Sequence, residues 1–319
     1  MDIKTVDFSP TVDFNWQFQG RIVVMDNGAR LPFQKNFDDL MKLNALATII
    51  FDPASRLTDK EELKSLDEFQ VFPHALLGNG EAATLYACMA PEKSGTLEPL
   101  APEQLPERKR RGTQVLAKVP VPTLQLDAIE GLNQVDWLLL DELNDSLAAL
   151  ENGTQYLKET LLIHARLPLM PAYQRQPDVA TIFQWMTQHG FQCYRFDQPV
   201  HHSHLPSEQK LERQQATQLD TIEAVFIPDE QRLACMAPAR LRKLAFLMDA
   251  VHGVHDFTHR LLNSIDPEMA THYLATRGYL SQYDTEPDTF TLTAKYSPAP
   301  WDKQRQHPSS QPQAGGSSE

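Results

Sequence analysis

Seven short apolar runs punctuate the first 230 residues, and polar residues scarcely alternate through any of them: RIVVMD (21–26), ATIIFD (47–52), FQVFPHALL (69–77), DWLLLD (136–141), TLLIHARL (160–167), CYRF (193–196) and EAVFIP (223–228). A strand with one wet face alternates apolar and polar residues, whereas a strand covered on both faces does not. Helical patterns fall between the runs, at 37–46, 58–66, 145–153 and 178–190. Strand and helix in alternation predict an α/β fold: a mostly parallel sheet of about seven strands with helices on both faces.

Cap signals agree with this pattern. Thr58 with Glu61 three residues on, and Asp178, stand where helices would start, and Gly153 and Gly190 stand where helices would stop. The stretch 84–112 breaks the rhythm with prolines, a Ser-Gly pair and the basic run ERKRR, and reads as an insertion loop at the sheet's edge. From 238 to 278 the pattern is helical again, and from Asp284 onward proline, serine, glutamine and glycine dominate. The organisation expected is a Rossmann-like domain over 1–230, a C-terminal helical cap over 231–283 and a disordered tail over 284–319.

Charge narrows the partners. With 42 acidic against 29 basic residues the net charge is −13, which repels phosphate backbones and anionic lipid, so neither nucleic acid nor membrane is expected. No uncharged apolar run approaches the roughly 18 residues that a membrane span needs, and the N-terminus lacks a signal-peptide pattern. Cys88, Cys193 and Cys235 are odd in number and far apart, which fits free thiols in a reducing cytoplasm.

In a doubly wound sheet a glycine turn after the first strand and an acid after the second hold a nucleotide-like cofactor. Asp26, Gly28 and Ala29 end the first run and Asp52 ends the second. Six further blocks occur downstream: FDP (51–53), FPHALLGNGEAATLY (72–86), SGTLEP (94–99), VPVPTLQLDAI (119–129), VDWLLLDELNDSLAALENG (135–153) and PAYQRQPDVATIFQWMTQHGFQCYRF (171–196). In order and spacing these resemble the FkbM family of S-adenosylmethionine-dependent methyltransferases over about residues 20–230. The resemblance implies a class I methyltransferase-like Rossmann fold. It also implies S-adenosylmethionine on Asp26, Gly28, Ala29 and Asp52, Asp141 at the catalytic position, and Tyr173 and Gln176 on the acceptor side.

The departures from that family are concentrated at strand ends. Pro32 replaces the second glycine of the DxGAxxG turn; proline offers no N–H and fixes φ. Where the family reads LKLDVQGAE this chain reads LLLDELNDS, with Leu139, Asn144 and Ser146 at the lysine, glycine and glutamate positions, and Arg166 takes the place of a further glutamate. Asp141 also has a purely structural use, capping the helix that follows.

Other candidates are weaker. His252, His255 and His259 would share one helix face and could approach a metal, although Gly253 interrupts that helix, and no metal is expected there. His201, His202 and His204 read as a polar connector, His164 as a satisfied core histidine, and Phe183, Trp185 and Met186 as a helix face on the sheet.

Two functions follow. In one, the chain is a degenerate FkbM-like protein with weak or no S-adenosylmethionine binding, serving as a scaffold or binding a protein partner. In the other, it is an active O-methyltransferase acting on a hydroxyl of a sugar, glycan or small metabolite.

Overall fold

All seven apolar runs contribute strands. The computed structural model describes residues 5–8, 14–58, 63, 68–206, 212–213 and 215–280. Apart from residues 58 and 63, the helix expected over 58–66 lies outside the described residues, as does the tail over 284–319. In chain order the elements begin with β1 (Thr5–Phe8), β2 (Trp16–Gln19), β3 (Ile22–Asn27), α1 (Phe37–Lys42), β4 (Leu46–Phe51), β5 (Phe69–Phe72), β6 (Leu76–Leu77), β7 (Ala82–Cys88), α2 (Glu107–Arg110) and β8 (Val115–Leu124). They continue with β9 (Trp137–Leu140), α3 (Ser146–Glu151), α4 (Thr154–Leu157), β10 (Leu162–Pro168), α5 (Val179–Gln188), β11 (Phe191–His202) and β12 (Gln218–Pro228). The last helices among the described residues are α6 (Glu230–Ala234), α7 (Pro238–His252), α8 (His255–Asn263) and α9 (Pro267–Thr276).

The central sheet has seven strands in the order β11-β12-β10-β9-β3-β4-β5. Neighbours from β5 to β10 pair in parallel, while β12 runs antiparallel to both β10 and β11, so the sheet is mixed. Strand order reverses between β3 and β9. A crevice outside the carboxyl ends of those two strands is where this kind of sheet takes ligands.

Period-two alternation sends successive residues to opposite faces. From β3 and β9, Ile22, Val24, Trp137 and Leu139 enter one apolar layer with Leu244, Phe246, Leu261 and Tyr273 of α7–α9. Met25, Leu138 and Leu140 enter the other, with Leu150, Leu157, Ile182 and Trp185 of α3–α5. The 238–278 segment therefore covers a face of the sheet and shares its core. Pro238 starts α7 and Gly253, at φ 61°, ends it in the left-handed conformation that glycine tolerates. Among the described residues no helix is long and apolar enough to cross a membrane.

The insertion expected as a loop over 84–112 is more ordered than that. Strands β7 and β8 pair antiparallel into an arm, β6 pairs in parallel with the end of β8, and α2 lies in the connection. Pro120 and Pro122 hide this strand in the sequence. Proline is tolerated here because β6 pairs only with Thr123 and Leu124, leaving the far edge of β8 at both prolines without a ladder to supply. The basic run is engaged: Lys109 Nζ donates to Met170 O at 2.8 Å and pairs with Asp220, and Arg108 reaches Leu205 O at 3.2 Å.

Candidate functional site

The sheet brings Asp26, Gly28, Ala29, Asp52 and Asp141 to one place, the carboxyl ends of β3, β4 and β9. What each does there follows from its hydrogen bonds. Asp26 is fully buried, and its Oδ2 accepts the Leu31 N–H at 2.6 Å, closing the turn that follows β3. Pro32 occupies the first turn of a 3-10 helix over Leu31–Phe33, where its missing N–H costs no intrahelical bond. The backbone between is forced: Gly28 sits at φ 145° and Ala29 at φ 53°. A methyl group on Gly28 would stand 2.7 Å from Asp141 Cγ, so glycine is required by a neighbouring side chain as well as by the turn.

Asp52 caps its own loop, Oδ1 accepting from Arg56 N at 2.8 Å and Oδ2 from Leu57 N at 2.9 Å. Each oxygen that would meet a ribose hydroxyl thus already accepts one backbone amide. Burial raises the Asp52 carboxyl above its ordinary value, partly offset by these amides.

Asp141 is equally committed. Its Oδ1 accepts from Leu143 N, Asn144 N and Asn144 Nδ2, and Asn144 Nδ2 also reaches Oδ2 at 3.1 Å. The cap of α3 is Asp145, which accepts from Ala148 N at 3.0 Å; Asp141 orders the loop before it. Asn144 is the tie: its Oδ1 accepts from both the backbone N–H and the hydroxyl of Thr96 at 3.0 Å, fastening the 94–97 segment over β9. Ser146 Oγ donates to Asp141 O at 2.7 Å. Burial raises the Asp141 carboxyl, and the adjacent Arg56 lowers it.

Two arginines with no periodic signal in the sequence complete the arrangement. Arg56 donates from Nη1 to Gly28 O and from Nη2 to Ser94 O, each at 3.0 Å, and lies 3.8 Å from Asp141 Oδ2. One guanidinium thus joins the turn after β3, the insertion and the end of β9. Arg30 reaches the other way, to Leu140 O at 3.4 Å and Glu223 Oε2 at 3.2 Å. The substituted positions named above have different fates: Leu139 is buried in the core, while Arg166 pairs with Glu142 at 3.0 Å.

Tyr173 and Gln176 also serve structure. The Tyr173 hydroxyl donates to Lys93 O at 3.1 Å; Gln176 accepts from Ala172 N at 3.0 Å and donates to Glu142 O at 2.7 Å. The three histidines of 252–259 do not share a helix face, because Gly253 separates α7 from α8. His252 is buried against His164, while His255 meets Asp249 at 3.1 Å and Tyr273 at 2.8 Å. His204 meets Gln218 at 2.7 Å, and no group of three potential metal ligands occurs among the described residues. Cys88, Cys193 and Cys235 are free, and burial raises the Cys88 and Cys193 thiols, which disfavours a thiolate at either.

No model of a known protein family matches the chain, and no curated protein does. Among solved structures it is similar to a protein reported as a "putative methyltransferase" from Thermoplasma acidophilum, at 7% identity over 66% of this chain and 69% of that one, with a TM-score of 0.34. It is also similar to precorrin-6y C5,15-methyltransferase from Geobacter metallireducens, at 10% identity over 65% of this chain and 80% of that one, with a TM-score of 0.32. Overlays this loose carry no argument about activity, and the strand order rests on the sheet's own registers.

Asp26 has a measurable signature. Burial pushes its carboxyl up to about 7, against the Leu31 amide and Arg30, which lower it, and with Asp141 adding to the rise. The folded state therefore binds a proton that the unfolded state releases near its ordinary value of about 4. The stability linked to this group is fully present below about pH 4 and is lost as pH rises through about 7, on the order of 4 kcal/mol in all. Asp26→Asn cannot ionise. In urea titrations at about pH 5 and about pH 8, the variant should gain on the parent at the higher pH, and an equal difference at both would refute this assignment.

Proposed function

We propose that this chain is a degenerate relative of the FkbM-type methyltransferases, with a class I methyltransferase-like fold and a cofactor crevice closed by its own side chains. The strand order supports the fold: a reversal between the first and fourth strands of the sheet, and one antiparallel strand inserted between the fifth and the sixth. The observation that carries the reading is Arg56, whose guanidinium bridges Gly28 O, Ser94 O and Asp141 across the strand ends while its own amide occupies Asp52.

S-adenosylmethionine needs open backbone at the glycine turn and a free acid after the second strand. Here Gly28 O, Asp52 and Asp141 are all engaged within the protein, so the residues present do not fit that cofactor. The fold then serves partner binding or scaffolding. The β7–β8 arm supports that use, because Met89, Leu116, Val119 and Leu124 are exposed on it or at its end.

Calorimetric titration of the full chain with S-adenosylmethionine and S-adenosylhomocysteine tests the reading. No heat and no thermal shift are expected at millimolar ligand. Micromolar binding that Asp52→Ala abolishes would overturn the proposal in favour of an active O-methyltransferase acting on a hydroxyl of a sugar or small metabolite.

A further inference from the structure

Between β11, the α7–α8 turn and the end of α9 lies a cleft of about 530 Å³, a size that small-molecule sites commonly have. None of the strand-end acids lines it. Tyr194 of β11 and Tyr279, just beyond α9, stand in its wall with His255 and Asp256 of the first turn of α8. The hydrogen-bonding capacity these side chains have left decides what the cleft can hold.

His255 is fixed from behind. Its Nδ1 lies 2.8 Å from the Tyr273 hydroxyl and 3.1 Å from Asp249 Oδ1, and that hydroxyl donates to the same Oδ1 at 2.5 Å. The tyrosine proton is spent on the carboxylate, so Nδ1 is the donor to the phenol oxygen. A neutral imidazole protonated at Nδ1 presents Nε2 as a bare acceptor, and Nε2 meets no hydrogen-bond partner among the described residues. Asp249 is a firm anchor: burial acts to raise its carboxyl, but His255, Arg277 and Tyr273 together hold it below its ordinary value.

Asp256 supplies a second acceptor. Its Oδ1 takes the Phe257 N–H at 2.8 Å, and its other oxygen has no bond among the described residues. The two phenols lie within reach of this charge: burial raises Tyr194, to about 12, and Tyr279, and Asp256 adds to both rises. Their rings bring the electron-rich faces that attract cations. Among the described residues the lining holds one Lys or Arg, Arg195, and that guanidinium already pairs with Asp197.

We propose that this cleft is a binding site for a small organic ammonium, with its N–H groups directed to His255 Nε2 and Asp256 and its apolar body against Tyr194 and Tyr279. The cleft offers acceptors and aromatic faces, which is what a donor-bearing cation needs. An anion of the same size is refused, because it would meet a carboxylate and a bare ring nitrogen while the arginine beside it is committed to Asp197.

Benzylamine and benzoate, similar in size and opposite in charge, test the site by carbon NMR of the tyrosine rings in the full chain. Benzylamine at millimolar concentration should shift the Tyr194 and Tyr279 signals saturably and leave Tyr86, on the β7–β8 arm, in place. Benzoate should move none of the three. Asp256→Asn keeps an acceptor for the Phe257 amide and removes the charge from an exposed side chain, so the fold should persist while benzylamine binding weakens about fivefold. Asp39→Asn, at an exposed acid on α1, should leave binding unchanged. Absence of a saturable shift with benzylamine, an equal response to benzoate, or full binding by Asp256→Asn would overturn the proposal.

Discussion

Replacing Asp136 by alanine is expected to cost roughly 3–5 kcal/mol of stability, because it strands a buried cation. Asp136 is fully buried just before β9, and its Oδ2 accepts from Val23 N at 3.0 Å, Gln134 Nε2 at 2.9 Å and Lys243 Nζ at 2.9 Å. Arg240 adds a contact to Oδ1 at 3.3 Å. This carboxylate thus joins the first strand of the sheet, the fourth strand and helix α7. Lys243 is itself buried, and its remaining bond, to Arg21 O at 2.7 Å, is to a neutral group. Asp136→Asn keeps an acceptor for Val23 but removes the counter-charge, so it should fall between the parent and alanine. Urea denaturation of the three proteins measures the series. A loss under about 1 kcal/mol for alanine would mean that Lys243 finds water or another anion when Asp136 is gone.

Gly28→Ala carries the second large effect, about 3 kcal/mol or more, from two separable causes. One is conformational, since φ of 145° is strained for any residue with a Cβ. The other is collision, because the new methyl would meet the Asp141 carboxylate, whose Cγ would be 2.7 Å away. Asp141 is held by Asn144 and the 143–144 amides, so withdrawing it would break those bonds. Placing Gly28→Ala in an Asp141→Gly background removes the collision and keeps the strain. Recovery of about half the lost stability is expected there. If the double variant recovers nothing, backbone conformation alone fixes the glycine, and the close approach of the two strand ends has no energetic role.

Much of this fold was legible because burial on both faces leaves a plain signal. The runs RIVVMD, ATIIFD and DWLLLD became β3, β4 and β9 within a residue or two of where they were read. Asp178 caps α5 through the Thr181 amide as its position suggested. The β7–β8 arm was not legible, because Pro120 and Pro122 look like breakers until the unpaired edge of β8 is known. The helices from Pro238 onward read as a separate cap because periodicity shows that a helix forms, not what it covers.

At the candidate site the sequence pointed to acids that lie together in the structure, but not to their partners. Asp26, Asp52 and Asp141 do converge, yet their bonds run to Leu31, Arg56, Leu57 and Asn144. A lone arginine in a loop carries no pattern, so nothing marked Arg56 as the group that spans the crevice or Arg30 as the one that reaches β12. The substitutions at Asn144 and Ser146 were noticed as losses; in the structure they are new bonds, to Thr96 and to Asp141 O.

The place of β12 bears on how the chain assembles. Among the described residues it is the last strand in sequence, but it lies inside the sheet, between β10 and β11. During synthesis, β3, β4, β5, β9 and β10 can align as they emerge, while β11 has no neighbour until residues 218–228 follow it. The two then form a hairpin that docks on β10 as a unit through β12. Until that happens the row of amides and carbonyls along β10 is an open template for any other extended chain. Nascent or truncated forms ending before residue 218 should therefore be aggregation-prone, because the hairpin that covers β10 has yet to form.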